Sequence, residues 1–297
     1  EAVGLPMPST LDELTNMLKA FKEQDPGGNG EQNIPLSIRG DVPIIENIVG
    51  AFSMANGWNV VDGKLVPRPL DDNFDDYLAY VHELYEQGLL DKEFAINKDA
   101  NMKEKFSSGK AGAIVVHWAD IPVLADALAQ TNPGAKLVFV PPVKGKNGAA
   151  GYSTNAGAFD RLTFIPKSAK HPEDTIKLMN AKLDKENHKL IAIGEEGVHY
   201  NFENGAYTPI LPIFTDERNQ ANNYLNGVDE VHYPIYWQAR VRKDERLFAG
   251  WDQINGQLPA EVKIPDPLAL APYLPEFSKN NQQLTTMTND YAVKVIV

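Results

Sequence analysis

Ser108-Gly-Lys-Ala-Gly-Ala-Ile-Val-Val-His-Trp-Ala-Asp120 reads as a helix end, a short buried strand and a polar exit in thirteen residues. Gly109 suits the left-handed residue that closes a helix. Ala113 to Val116 is a continuous apolar run, short enough for a buried parallel strand. Ligands of open α/β sheets sit beyond the carboxyl ends of the strands, which is where His117, Trp118 and Asp120 would emerge. A Trp among polar neighbours there is a stacking platform for a ring-faced ligand; the alternative is that Trp118 only covers the core.

Moving outward, the remaining segments alternate helix and strand, so the fold class is α/β. Thr10-Leu-Asp-Glu13 is a capping box, and it opens a helix with Leu11, Leu14, Leu18 and Phe21 on one face. That helix stops at the turn cluster Asp25-Pro-Gly-Gly-Asn-Gly30. Residues 31 to 70 look irregular, with short pieces at 34–38 and 44–54. A second helix turns Phe74, Tyr77, Leu78, Val81, Leu84 and Tyr85 inward and closes at Gly88. After 120–130, expected to be helical, strands are expected at Lys136–Val140 and Leu162–Ile165. Pro172 sits at a first helical position, a further helix ends at Gly194, and 200–212 is extended. Helices are expected at about 215–225, 236–255 and 274–295.

Bulk properties remove several function classes. The chain has 297 residues, enough for one large domain or two ordinary ones, and its 43% hydrophobic and 23% charged residues suit a globular protein. A formal charge of −12 repels phosphate backbones and anionic membrane surfaces, so nucleic acid is not an expected partner. There is no cysteine, which excludes disulfides, thiolate metal sites and cysteine nucleophiles. No apolar run approaches the roughly 18 residues that span a bilayer. Glu1-Ala-Val-Gly-Leu-Pro-Met-Pro8 reads as a linker from within a protein, so a fragment or a processed chain is expected.

An ordered set of motifs carries a family resemblance. Pro8-Ser-Thr-Leu-Asp-Glu-Leu14 resembles a Pro-x-Thr-Trp-Asp-Glu-Leu helix start, with Leu11 in place of Trp. Tyr80 to Leu90, Gly109-Lys-Ala-Gly-Ala-Ile114 and the crossing Val140-Pro-Pro-Val-Lys-Gly-Lys-Asn-Gly148 follow in order. Lys170-His-Pro-Glu-Asp-Thr-Ile-Lys-Leu178 and Ile193-Gly-Glu-Glu-Gly-Val-His-Tyr200 complete the set. Together they resemble the extracellular solute-binding proteins (family 1) of bacterial ABC importers, over about residues 5 to 210.

The resemblance implies a periplasmic-binding-protein-like (type II) two-lobe fold that closes on an oligosaccharide about a hinge, without catalysis. It implies ABC permease transmembrane subunits as partners. It also implies an extracytoplasmic lipoprotein, held at the membrane only by a lipid anchor outside this chain. In the family the Thr-Trp-Asp-Glu helix belongs to the second lobe and follows most of the first. By that comparison residues 1–138 are second (C-terminal) lobe, 139–200 a crossing and return to the first lobe, and 201–297 the helical part of the second. Most of the N-terminal lobe, and half of the cleft, would be missing.

Candidate ligand contacts are aromatic residues in polar company. Trp58 has Asn56 and Asn59, Trp118 has His117 and Asp120, and Trp237 has Gln238 and Arg240. Sugar sites pair a ring face with in-plane hydrogen bonds, and core packing is the rival explanation for each ring. Tyr236, Trp237 and Arg240 form a second candidate wall, and Tyr152 and Asn155 face the cleft in the family picture. In this reading Trp118 and the 233–240 segment stack, while Asp120, Asn155 and Arg240 fix hydroxyl directions.

Asp25-Pro-Gly-Gly-Asn-Gly-Glu-Gln-Asn33 partly matches a calcium loop through Asp25, Asn29, the Glu31 carbonyl and Asn33. Gly27 replaces a ligand, however, and Ile34 or Leu36 stands where a bidentate Glu belongs, so a plain Gly-rich turn is favoured and no cofactor is expected. His82-Glu-Leu-Tyr-Glu86 lacks the second His of a zincin, and Asp71, Asp72, Asp75 and Asp76 suit a solvated helix start. The rival functions are a carbohydrate-active hydrolase or lyase, and a surface lipoprotein that binds a peptide or protein.

Overall fold

The computed structural model describes residues 3–154, 163–225 and 233–297, without the side chains of 222, 233 and 234. In chain order the elements are α1 (Leu11–Gln24), β1 (Ile34–Ser37), α2 (Glu46–Val49), β2 (Trp58–Val61), β3 (Lys64–Pro67), α3 (Asn73–Glu86) and α4 (Asp99–Ser107). Then come β4 (Ala111–Ile114), α5 (Ile121–Thr131), β5 (Tyr152–Thr154), α6 (Pro172–Leu183), α7 (Lys185–Ile193), β6 (Tyr200–Glu203) and β7 (Ala206–Pro209). The last are α8 (Ile213–Arg218), α9 (Tyr233–Val241), α10 (Glu245–Asp252), β8 (Lys263–Pro265) and α11 (Pro275–Ile296). Residues 1–159 and 257–297 form one compact unit and 160–256 a second. These boundaries differ from the expected lines at 138 and 200, because the end of the chain returns to the first unit through β8, paired with β5, and through α11, packed on α3.

The first unit is built on amphipathic helices. Leu11, Leu14 and Leu18 of α1 and Phe74, Tyr77, Leu78, Val81 and Leu84 of α3 are buried in one core with Ala292 and Ile296 of α11. The cap of α1 departs from a simple box. Thr10 Oγ1 accepts from the Glu13 amide at 3.2 Å, but the Glu13 carboxylate reaches past Thr10 to accept from the Ser9 amide (2.7 Å) and hydroxyl (2.6 Å). The segment entering the helix is thereby held at Ser9 and Thr10.

Strands β1 and β4 are parallel, with Ile34, Leu36 and Ser37 opposite Ala111, Ala113 and Ile114. The ladder therefore lies two residues earlier than the apolar run Ala113–Val116 suggests. Ser37 is the last residue of β1 to find a partner, so Val115 and Val116 continue beyond the sheet. A uniform apolar run has no alternation with which to mark that end.

Lys136–Val140 forms no strand; among the described residues no β-segment pairs with it, and Val138 is exposed. Of the expected strand Leu162–Ile165, Leu162 lies outside the described residues and 163–165 join no ladder. Two hairpins appear instead, β2–β3 and β6–β7. Their turns, Asp62-Gly63 (φ 50° and 75°) and Asn204-Gly205 (φ 54° and 77°), have the double positive φ that matches strand twist. No helix of the described residues is long and apolar enough to cross a membrane.

The second unit has its own small core of Ala192, Ile193, Tyr200, Phe214, Tyr236 and Ala239, drawn from α7, β6, α8 and α9.

Candidate functional site

Beyond the carboxyl ends of β1 and β4 the first unit holds a cavity of about 310 Å³. Its apolar lining includes Ile38, Ile44, Ile45, Met102, Val115 and Val116, and its charged lining is Arg39, Glu46, Asp99 and Asp120, with His117 beside them. The position follows from topology: two adjacent parallel strands end at the same edge, and the segments that leave them diverge around a gap. Gly40 lets one wall approach its neighbour. Its amide donates to Asn97 O at 3.1 Å, and a Cβ there would lie 2.1 Å from Ala95 O.

The rim is a chain of ion pairs. Arg39 Nε lies 3.0 Å from Asp41 and Nη1 lies 3.5 Å from Asp99. Lys103 Nζ bridges Asp99 at 2.8 Å and Asp120 at 3.1 Å, and Lys98 reaches Asp41 at 3.6 Å. The hydrogen bond with Asp41 holds the Arg39 guanidinium above its usual range, and the same bond holds the Asp41 carboxyl below its own. The hydrogen bond to Asp99 raises the Lys103 ammonium. Glu46 accepts both Nη groups of the buried Arg68, each at 3.1 Å.

His117 and Asp120, two of the ligand contacts expected from the sequence, line this cavity. His117 Nδ1 accepts from the Ala119 amide at 3.2 Å, which caps the turn at Trp118–Asp120 and leaves Nε2 as the donor. Trp118 is half-buried and is not among the lining residues; its ring leans on His117, with centroids 5.3 Å apart. Arg39, Glu46, Asp99 and Lys103 were missed. For Arg39 the signal was partly present, since the strand-exit rule that picked His117 applies also to Ile38-Arg-Gly-Asp41 once 34–37 is known to pair with β4.

The other expected contacts lie elsewhere. Trp58 is half-buried on β2 with its ring edge-on to Phe277 at 5.8 Å, a packing contact with α11. Tyr152 sits in β5, where burial raises its phenol above the usual range. Asn155 lies outside the described residues.

In the second unit, the expectation of a ligand wall from Tyr236 and Arg240 meets a structural explanation. Tyr236 is 3% exposed with Tyr207 edge-on to it at 5.4 Å, so its ring face belongs to the core. Arg240 donates to the carbonyls of Ala192 (3.1 Å), Arg218 (3.0 Å) and Asn219 (2.5 Å), tying α9 to α7 and to the end of α8. Trp237 is half-buried, with the Arg240 guanidinium 5.6 Å from its ring centre.

The loop considered for calcium is stitched to itself and its surroundings. Asp25 accepts from the amides of Asn29 (3.0 Å) and Gly30 (2.7 Å), one oxygen to each. Asn29 Nδ2 donates to Gly109 O at 2.7 Å and Asn33 Nδ2 to Phe21 O at 2.7 Å. Glu31 lies in the short 3₁₀ turn between them. These bonds give Asp25, Asn29 and Asn33 a part in holding the turn.

No sequence-family profile matches the chain. An uncharacterised protein of Niallia circulans, from the butB 5′ region, is 41% identical over 74% of this chain and 86% of its own length. Lipoprotein LipO of Bacillus subtilis is 31% identical over 70% of this chain and 43% of LipO. The polygalacturonan/rhamnogalacturonan-binding protein YtcQ of the same organism is 29% identical over 67% of this chain and 41% of YtcQ. Among solved structures, the ABC-transporter substrate-binding protein FusA of Streptococcus pneumoniae, in complex with kestose, superposes with a TM-score of 0.64 at 18% identity. It covers 99% of this chain and 62% of FusA, which gives the chain the fold of the solute-binding proteins. The chain spans about two fifths of the length of LipO and YtcQ.

Proposed function

We propose that this chain is a solute-binding protein of a bacterial ABC importer and binds an oligosaccharide for import, a reading supported by its likeness to YtcQ and by the fold it shares with FusA. The observation that carries the reading is the cavity at the ends of β1 and β4, whose lining joins apolar side chains to three carboxylates, one guanidinium and one imidazole. A sugar ring offers apolar C–H faces and a girdle of hydroxyls. The apolar side chains suit the first, and Asp99, Asp120 and His117 Nε2 suit the second. Trp118, whose ring leans on His117, would add an aromatic face for a bound sugar beside that residue.

The same reading assigns no chemical step. Lys103 is paired with both Asp99 and Asp120, whereas glycoside hydrolysis pairs a carboxylic acid with a carboxylate across the scissile bond. The ligand-bound protein would then be read by permease transmembrane subunits at the outer face of the membrane, in keeping with the lipoprotein relative.

Titration of intrinsic Trp fluorescence with a panel of oligosaccharides tests this. Saturable binding that weakens in Trp118→Ala and Asp120→Asn supports the reading. Binding that neither substitution alters would move the site away from this cavity.

A further inference from the structure

Resting on the oligosaccharide reading, we infer that the ligand held at the β1–β4 cavity is an uncharged glycan, not a uronate. Of the four charged side chains that line the cavity, Arg39 is a cation, and Glu46, Asp99 and Asp120 are carboxylates. A uronate is recognised by a guanidinium or ammonium free to form charge-assisted bonds, bidentate in the best case. Each cation of this rim is already engaged. Arg39 is shared between Asp41 and Asp99, Lys103 between Asp99 and Asp120, and Lys98 is paired with Asp41. Arg68 holds Glu46 and also donates to the carbonyls of Asn56 and Ala55.

An incoming carboxylate would have to share its cation with Asp41, Asp99 or Asp120 and would lie beside that acid as a like charge. Hydroxyls meet no such penalty, because a carboxylate that already accepts from a lysine has lone pairs left for a further donor. The formal charge of −12 adds long-range repulsion of a polyanion, which salt screens. The inference separates this chain from YtcQ, whose name gives an acidic polymer as ligand.

Calorimetric titration with neutral and acidic oligosaccharides that share a backbone reads this directly: galactan with galacturonan, glucan with glucuronan, and mannan with mannuronan. At low ionic strength the neutral member of whichever pair binds should do so at least about tenfold more tightly, which is one decade in Kd. Asp120→Asn, at a half-buried rim position, removes one of the two acidic partners of Lys103, and the double variant Asp99→Asn/Asp120→Asn removes both. Each should narrow the gap, the double variant by about threefold or more. An acidic member that binds the wild type as tightly as its neutral partner overturns the inference while leaving oligosaccharide binding intact. A gap that both variants leave unchanged also overturns it, since the rim would then not be its cause. Failure of every saccharide, neutral and acidic, overturns the oligosaccharide reading and the inference with it.

Discussion

Lys105 Nζ lies 2.9 Å from Asp91 Oδ2, and this pair fastens α4 to the end of β1 underneath the cavity wall. Asp91 is 3% exposed and also accepts from Ser37 Oγ (2.7 Å), Asn97 Nδ2 (2.7 Å) and the Glu93 amide (3.0 Å). The loop so held carries Asn97 O, the acceptor of the Gly40 amide, so the network positions the segment that presents Arg39. Removing one partner of a buried ion pair costs about 3–5 kcal/mol, because the other charge is left uncompensated. Lys105→Met should therefore lower unfolding stability by about that much in urea at pH 7.

The same network makes an acid-stability prediction. Burial pushes the Asp91 carboxyl up, but bonds from Ser37, Lys105, the Glu93 amide and Asn97 outweigh it and hold it below its ordinary value. A carboxyl depressed in the folded state stabilises above its unfolded pKa, about 3.9, and that contribution fades as pH falls through the folded value. The wild type should lose stability steeply below about pH 4. Asp91→Asn should be weaker at pH 7 and flatter over that acid range; equal slopes in acid urea titrations would remove Asp91 from the explanation.

Gly40→Ala tests the close approach at the wall. The added Cβ would meet Ala95 O at 2.1 Å, a backbone atom that cannot swing aside. Overpacking of this kind costs about 1–3 kcal/mol, and the shift should also weaken oligosaccharide binding. Thermal unfolding and calorimetry on the variant measure the two effects.

Tyr236 and Arg240 should behave as structural residues. Tyr236→Ala should cost about 3–5 kcal/mol of the second unit's stability, as for other large buried aromatics. Arg240→Met should cost about 1–3 kcal/mol for each carbonyl left without a donor. If either variant unfolds like the wild type but loses sugar affinity, the ligand-wall reading of α9 returns.

Trp118→Ala should leave unfolding nearly unchanged, since the ring is half-buried, and weaken sugar binding by about 1 kcal/mol, several-fold in Kd.

Local signals were legible in the sequence, and contacts between distant segments were not. The i, i+3, i+7 spacing of Leu11, Leu14 and Leu18 gives α1, and Thr10 gives its cap. The hairpin turns at Asp62-Gly63 and Asn204-Gly205 carry their own chemistry and went unread beside weak strand patterns. The register of β4 depends on where β1 stops, which no residue of β4 encodes. Trp58 meets Phe277 from the far end of the chain, and the rim joins Arg39, Asp99, Lys103 and Asp120 from three segments. Half of the cavity was found through the exit of β4, and the other half needed the parallel partner to be known.

Hydrogen–deuterium exchange with and without a saturating neutral oligosaccharide tests the central claim most directly. The account predicts slowed exchange in the segments 38–46 and 115–121, which line the cavity, and little change in the loop 25–33. Saturable binding with no protection in those two segments would contradict it.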